Sequence, residues 1–275
     1  MCKGTCVFGF KDRRRKKIAS RPFPDAWLVL LKKNVPLYSR LPQADQEELR
    51  RHILVFMAEK RFEGCGGLRM TDQIRITIAA HACILLLHRQ TDYYPGLKTI
   101  LVYPRAYVAA NVHHFVAGTV LETDDVRLGE SWHHGSVVLS WDDVRRSAAD
   151  VGDGQNVVFH EFAHQLDSSG GRGDSTPVLQ DRSSFIAWAR ALGEDFESFR
   201  HEIVGANNHS GSPNATDGVG GPVPVLDEYG ATDPAEFFAV ATESFFERPK
   251  DLQQRYPRLY EELKRFYQQD PATFD

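Results

Sequence analysis

Residues 157–167 read Val-Val-Phe-His-Glu-Phe-Ala-His-Gln-Leu-Asp, an apolar run that contains two histidines and a glutamate. The apolar residues recur with helical spacing, which predicts a helix with one buried face. On a helix that advances about 100° per residue, His160 and His164 project roughly 40° apart, so both imidazoles can bind one ion. Glu161 lies beside this pair. The pattern His-Glu-x-x-His is typical of a hydrolytic zinc site in which the glutamate holds a water molecule.

An ordinary amphipathic helix with two solvent-facing histidines is the alternative interpretation, because two histidines one turn apart do not require a metal. The surrounding sequence favours the metal site. Gly152 and Gly154 precede the run and Gly170 and Gly171 follow it, so the predicted helix has a clear beginning and end. Its apolar residues predict a core helix that presents the histidines inward.

A catalytic zinc ion takes three protein ligands and keeps a fourth position for water, so another part of the chain must supply one more ligand. The best source is residues 233–246, where Asp233 is a predicted N-cap and Pro234 the first helical residue. Glu236 and Glu243 are seven residues apart and face the same side of this helix, so the local sequence allows either as ligand. Asp233-x-x-Glu236 is also a capping-box pattern, in which Glu236 would only bind the Asp233 amide.

Longer motifs resemble a known family. They are Phe-Glu-Gly-Cys-Gly-Gly at 62–67, Thr-Ile-Ala-Ala-His-Ala-Cys at 77–83, Asp-Tyr-Tyr-Pro-Gly-Leu at 92–97, residues 160–167 and residues 229–240. From about residue 21 to about residue 271, the chain resembles the Mlc titration factor A family of bacterial zinc peptidases. The resemblance implies that Glu236 is the third ligand and that Tyr229 lines the site. It also implies a fold similar to the catalytic domain of anthrax lethal factor.

We therefore expect an α+β, zincin-like metallopeptidase with a small mixed sheet flanked by helices and the His-Glu-x-x-His helix in the core. Three β-rich runs, at 98–103, 116–121 and 136–141, precede that helix. Zincins usually bind the substrate as an additional strand along a sheet edge. Residues 135–141 are the predicted edge strand above the zinc ion.

The expected organisation is a basic, flexible tail over residues 1–20 and a single peptidase domain over residues 21–275. Within the domain, we expect a helical part, a β-containing part and a metal-binding helical part, at 21–90, 91–145 and 146–275. Residues 207–224 are rich in glycine, asparagine, serine and proline, which predicts a mobile loop.

Composition is that of a soluble enzyme, with 275 residues, 42% hydrophobic and 25% charged. A net charge of -4 and a pI near 6.3 argue against direct nucleic-acid binding. No run approaches the roughly 18 apolar residues of a membrane span. The basic N-terminus is not followed by the apolar stretch of a signal peptide, which predicts a cytoplasmic protein.

The expected mechanism uses one zinc ion held by His160, His164 and Glu236, which lowers the pKa of its bound water towards about 7. Glu161 is the expected general base, and the Tyr229 hydroxyl is the candidate donor to the oxyanion. Asp167 is either an acceptor that fixes a histidine tautomer or a helix-end residue facing solvent.

Two functions are consistent with this sequence. The first is a zinc-dependent peptidase that acts on a peptide or protein substrate; the resemblance implies aminopeptidase-like activity and regulation by a protein partner. The second is a binding protein that sequesters a Mlc-like transcriptional repressor, as the resemblance also implies. Glu161 and an open fourth position favour catalysis, because a structural zinc ion is normally closed by four protein ligands.

Overall fold

The computed structural model describes residues 6–105, 115–116, 119–120, 135–168, 192–203 and 224–274. The chain forms two compact units, one comprising residues 1–151 and 274–275 and the other residues 152–273. Helices predominate, and a small three-stranded sheet lies in the first unit. This confirms the predicted α+β class.

The first unit begins with four helices, α1 Cys6–Ala19, α2 Asp25–Asn34, α3 Pro36–Arg40 and α4 Gln43–Glu59, and a strand separates them from α5 Asp72–Ile84. Helix α5 starts where the Thr71 hydroxyl accepts the Ile74 amide at 3.3 Å, which satisfies one of the free donors at the helix start. Its residues from Ile76 to Ile84 are all buried, and α2 and α4 pack against it. This apolar helix is the core of the unit.

Helix α1 differs from the flexible tail that the sequence predicts over residues 1–20. Arg15 is buried in this helix, and its guanidinium donates hydrogen bonds of 2.8 and 2.7 Å to Glu59 and of 2.6 Å to Asp92. A buried cation is stable only when such partners satisfy it. Because both carboxylates lie far along the chain from Arg15, a local pattern could not reveal this anchor.

The sheet contains β1 Arg61–Gly64, β2 Thr99–Tyr103 and β5 Ser136–Ser140, in the order β1-β2-β5. The three strands of this sheet run parallel in the described residues, whereas the sequence predicts a mixed sheet. The only antiparallel pairing in the described residues is a separate pair of short strands, β3 Phe115–Val116 and β4 Thr119–Val120. Strand β5 lies at one edge of the sheet and leads directly into α6 Trp141–Ala149. Its use as a substrate-binding edge stays a prediction.

The glycines of the 62–67 motif have a structural purpose. A Cβ atom on Gly64 would lie 2.0 Å from the Leu68 carbonyl oxygen, so only glycine fits where the chain turns back on itself. Gly66 and Gly67 have φ angles of 57° and 80°, in the left-handed region that glycine adopts without strain. This motif therefore shapes the turn after β1.

The second unit contains α7 Val157–Ser168, α8 at 192–203, a 3-10 turn Glu228–Ala231, α9 Pro234–Glu247, α10 Pro249–Arg255 and α11 Pro257–Tyr267. Helix α9 is buried from Phe237 to Glu247, and α7 packs along it. The rings of Phe159 in α7 and Phe246 in α9 lie 5.1 Å apart. Each such buried aromatic side chain contributes about 1.5–3 kcal/mol through the hydrophobic effect. The His-Glu-x-x-His helix thus lies in the core of this unit.

Residues 207–223 of the predicted loop lie outside the described residues. Among the helices in the described ranges, none combines the length and the apolar character that a membrane span requires.

Candidate metal centre

Asn156 determines where helix α7 begins. Its side-chain oxygen accepts the Phe159 amide at 3.1 Å, and its carbonyl accepts the His160 amide at 2.9 Å. These are the bonds of an N-cap residue. The buried Phe159 and Phe162 side chains then fix the rotation of the helix, so His160 and His164 lie on one side with ring centroids 4.9 Å apart.

Helix α9 supplies the carboxylate from its first turn. The Asp233 side chain accepts the amides of Ala235 and Glu236 at 2.8 and 3.1 Å, and Pro234 occupies the first turn. The Glu236 carboxylate does not need to cap its own helix, because Asp233 already does so. Its Oε2 atom faces the two imidazoles.

Three ligand atoms converge between the two helices. Glu236 Oε2 lies 3.0 Å from His160 Nε2 and 3.4 Å from His164 Nε2, and the two nitrogens are 3.2 Å apart. A tetrahedral zinc ion with bonds of about 2.0–2.1 Å needs ligand atoms about 3.3 Å apart. The spacing of the three atoms fits such an ion.

The types of atom at this site also indicate a place for a cation. His160 Nδ1 lies 2.7 Å from Oε1 of the buried Glu243, so Nδ1 donates the proton and Nε2 presents a lone pair. Glu236 Oε2 is buried and lies within ion-pair distance of both rings, and among the described residues it accepts no hydrogen bond of good geometry. Two imidazole nitrogens and a carboxylate oxygen are atoms of the kinds that ligate zinc. The residues therefore fit a divalent metal ion.

The pKa shifts of His160 and Glu236 agree with a cation at this site. Burial lowers the pKa of His160, but the charge of Glu243 and the contact with Glu236 outweigh that effect and raise the pKa well above its ordinary value. Burial alone would raise the pKa of Glu236, whereas its contacts with His160 and His164 hold that pKa far below the usual range. The site thus attracts positive charge, as a proton or as a metal ion.

Glu236 and Glu243, which the sequence leaves as alternatives for the third ligand, have different positions. Glu236 joins the histidine pair, whereas Glu243 lies behind His160 and is only 3% exposed. An acceptor at the second ring nitrogen is typical of metal-binding histidines. Asp167, the other candidate acceptor, is buried in α7, and at His160 Nδ1 the acceptor is Glu243.

Glu243 is itself held by the start of α7. Its Oε2 accepts the Asn156 backbone amide at 2.5 Å, and the Asn156 side chain donates to Glu247 Oε1 at 2.9 Å. Burial raises the pKa of Glu247 to about 8, although the Asn156 hydrogen bond opposes this shift. Neither Asn156 nor Glu247 was among the site residues predicted from the sequence. An asparagine directly before an apolar helical run is a signal for an N-cap, but nothing local indicates the second partner.

Glu161 and Tyr229 lie beside the three ligands. Glu161 is half-buried, and its charge acts on both His160 and Tyr229. Tyr229 lies in the 3-10 turn, which packs so closely on α9 that a Cβ atom on Gly230 would be 3.3 Å from Val240. Burial and the hydrogen bond to Glu236 raise the pKa of Tyr229, which keeps its hydroxyl protonated as a donor.

A second group of metal-ligating side chains, in the first unit, has a different character. Its members Asp45, Glu48 and His88 also lie close together. Here donors meet acceptors, because His88 Nε2 lies 2.8 Å from Asp45 Oδ1 and the His88 amide donates to Glu48 at 2.9 Å. Hydrogen bonds account for these contacts, so the first group, which also contains the buried Glu236 Oε2 atom, is the stronger candidate for a metal centre.

Comparisons with known proteins agree with this chemistry. Residues 10–268 match the family model described as glucose-regulated metallo-peptidase M90. The uncharacterized protein slr2042 of Synechocystis is 36% identical over 261 residues, which cover 94% of this chain and 90% of that protein. Mlc titration factor A of Klebsiella pneumoniae strain 342 is 32% identical over 86% of this chain and 84% of its own length. The protein of the same name from Yersinia pestis strain Pestoides F is 31% identical over 87% of this chain and 83% of its own length.

The resemblance expected from the sequence is confirmed, and the chain belongs to the M90 family of glucose-regulated metallopeptidases, with an α+β fold consistent with a zincin.

Proposed function

We propose that this protein is a zinc-dependent peptidase that hydrolyses peptide bonds. The observation that carries the proposal is the convergence of three possible ligand atoms, from His160, His164 and Glu236, at spacings that fit a tetrahedral ion. Three protein ligands leave one position for water, as catalytic zinc sites require. Membership of a metallopeptidase family supports a metal at this place.

When bound, a zinc ion lowers the pKa of a water molecule and polarises the carbonyl of the scissile bond. The Glu161 carboxylate accepts the proton of the attacking water and passes it to the amine nitrogen that leaves. The Tyr229 hydroxyl donates a hydrogen bond to the oxygen that becomes negative as the carbonyl is attacked. Glu243 keeps the His160 proton on Nδ1, so that Nε2 remains a ligand.

Removal and return of the metal tests the proposal directly. Purified protein should contain one zinc ion per chain by elemental analysis, and a strong chelator should abolish cleavage of a peptide library. Zinc should restore cleavage and raise the melting temperature, because an ion present at 100 times its dissociation constant stabilises the folded state by about 2.7 kcal/mol. The control is magnesium, which prefers oxygen ligands. A chain that binds no zinc and cleaves nothing after zinc is returned would refute this function.

Tyr229→Phe should lower kcat with little change in KM, because its hydroxyl interacts with charge that develops only in the transition state. Loss of one oxyanion donor typically costs about 10²–10³-fold in kcat. Zinc content should not change, since Tyr229 is not a ligand. Tyr256→Phe is the matched control, because the Tyr256 hydroxyl bonds Glu202, at 3.3 Å, which is not a residue of the metal centre. An unchanged kcat in Tyr229→Phe would remove Tyr229 from the mechanism.

A second function has one observation in its favour, since two of the relatives carry the name Mlc titration factor A. We propose as the alternative that the chain binds and sequesters a Mlc-like transcriptional repressor, with or without peptidase activity. Titration of the purified chain with such a repressor, by calorimetry in the zinc-bound and zinc-free forms, separates the two. Aminopeptidase-like specificity and a cytoplasmic location stay predictions of the sequence.

A further inference from the structure

A chain of buried contacts leads away from the metal centre. His160 Nδ1 bonds Glu243 Oε1 at 2.7 Å, Glu243 Oε2 accepts the Asn156 amide at 2.5 Å, and the Asn156 side chain donates to Glu247 at 2.9 Å. Asn156, Glu243 and Glu247 are 1%, 3% and 5% exposed. Water therefore cannot easily replace any of these bonds.

Asn156 is the centre of this chain because each of its polar groups has a different partner. Its side-chain oxygen caps α7 through the Phe159 amide, its backbone N–H holds Glu243, and its side-chain nitrogen is held by Glu247. The Phe159 N–H can only donate, so the side-chain oxygen of Asn156 faces it and the side-chain nitrogen faces Glu247. Because both oxygens of Glu243 then have fixed partners, its carboxylate cannot rotate away from His160.

We propose that Asn156 and Glu247 are positioning residues of the metal centre: Glu247 orients Asn156, Asn156 holds Glu243, and Glu243 sets the ring of His160. This inference rests on the proposed function, since it gives these residues a purpose at the zinc site. The connection runs across the packing of α7 on α9, whose residues 156 and 247 are 91 positions apart. Neither residue belongs to the group of His160, His164 and Glu236.

Glutamine at position 247 provides the conservative variant. The raised pKa of about 8 makes Glu247 largely a neutral acid at neutral pH, which glutamine resembles in shape and polarity. Glutamine retains the oxygen that accepts from Asn156, whereas alanine leaves the asparagine nitrogen buried without an acceptor. Glu247→Gln should therefore rescue what Glu247→Ala loses.

The test measures zinc affinity by chelator competition and the absorption spectrum of the cobalt-substituted protein. Glu247→Ala should weaken zinc binding about tenfold, at the lower end of the 10–100-fold cost of disturbing the partners behind metal ligands. The cobalt spectrum should change with it, because it reports the geometry of the ligands. Glu247→Gln should bind zinc within about twofold of the unaltered protein, because its oxygen keeps the bond to Asn156.

Asn156→Ser provides an independent variant if Glu247→Ala does not fold. Serine keeps the helix cap but loses the nitrogen that bonds Glu247, so zinc affinity should again fall about tenfold. Thr71→Ala removes a cap from α5 in the first unit and is the control for a loss of stability alone. It should lower the melting temperature of the zinc-free protein and leave zinc affinity unchanged.

Zinc affinity and a cobalt spectrum like those of the unaltered protein, in both Glu247→Ala and Asn156→Ser, would overturn the proposal even if both variants melt earlier. An equal loss of affinity in Glu247→Gln and Glu247→Ala would also overturn it. These readouts need no substrate. If the unaltered protein cleaves no peptide, the proposed peptidase function fails, while the positioning proposal is still decided by the metal measurements.

Discussion

Replacing Glu161 by glutamine should reduce peptide hydrolysis by about 10²–10⁴-fold, the usual contribution of a general base. The amide has nearly the shape of the carboxylate but cannot accept a proton from water. Zinc content should stay at one ion per chain, because the three ligands are unaltered. Steady-state cleavage of the peptide library and elemental analysis of the same preparation measure both results.

Glu228→Gln is the matched control for this change. Glu228 is exposed, it belongs to the turn that carries Tyr229, and its replacement removes the same unit of charge close to the site. Its hydrolysis rate should equal that of the unaltered protein within about twofold, as expected of exposed substitutions. Hydrolysis by Glu161→Gln at the unaltered rate would disprove the proposed mechanism, since no other group in it takes up the proton.

The second large effect concerns the metal itself. Glu236→Gln should weaken zinc binding by more than about 100-fold, because loss of a ligand must exceed the 10–100-fold cost of disturbing a residue behind one. Hydrolysis should disappear at ordinary zinc concentrations. Chelator competition measures the affinity, and activity at rising zinc concentrations shows whether excess metal compensates.

Glu243→Gln separates the two glutamates on the same helix face, since it removes the same charge seven residues later. It should weaken zinc binding by no more than about 100-fold, because Glu243 bonds His160 Nδ1 and is not one of the three converging residues. If Glu243→Gln lost zinc completely while Glu236→Gln retained it, the assignment of the third ligand to Glu236 would be wrong.

Much of the candidate site could be predicted from short stretches of sequence. The apolar period of residues 157–167 predicts the helix, and its histidines lie on one side because helix geometry leaves no other arrangement. The predicted start of α9 at Asp233 and Pro234 agrees with the observed cap. These features depend on neighbours within one or two turns, which is the range over which a sequence pattern carries information.

Only the packing of α7 on α9 shows whether Glu236 or Glu243 lies with the two histidines. Both residues satisfy the same helical spacing, and only the relative height of the two helices brings one to the ligand side and the other behind His160. The roles of Asn156 and Glu247 could not be predicted from the sequence for the same reason. Helix α1 in the first unit is a similar case. The sequence predicts a flexible basic tail there, whereas in the structure Arg15 bonds Glu59 and Asp92, which lie far along the chain.

The sequence alone therefore determines which residues lie on one face of each helix and where α7 and α9 begin, because local backbone geometry sets these features. Tertiary structure alone decided which carboxylate joins the histidines, which one orients His160, and what holds that second carboxylate in place. The physical reason is distance along the chain: residues 83 to 91 positions apart make these contacts. Only the burial of α7 against α9 brings such residues within hydrogen-bond range.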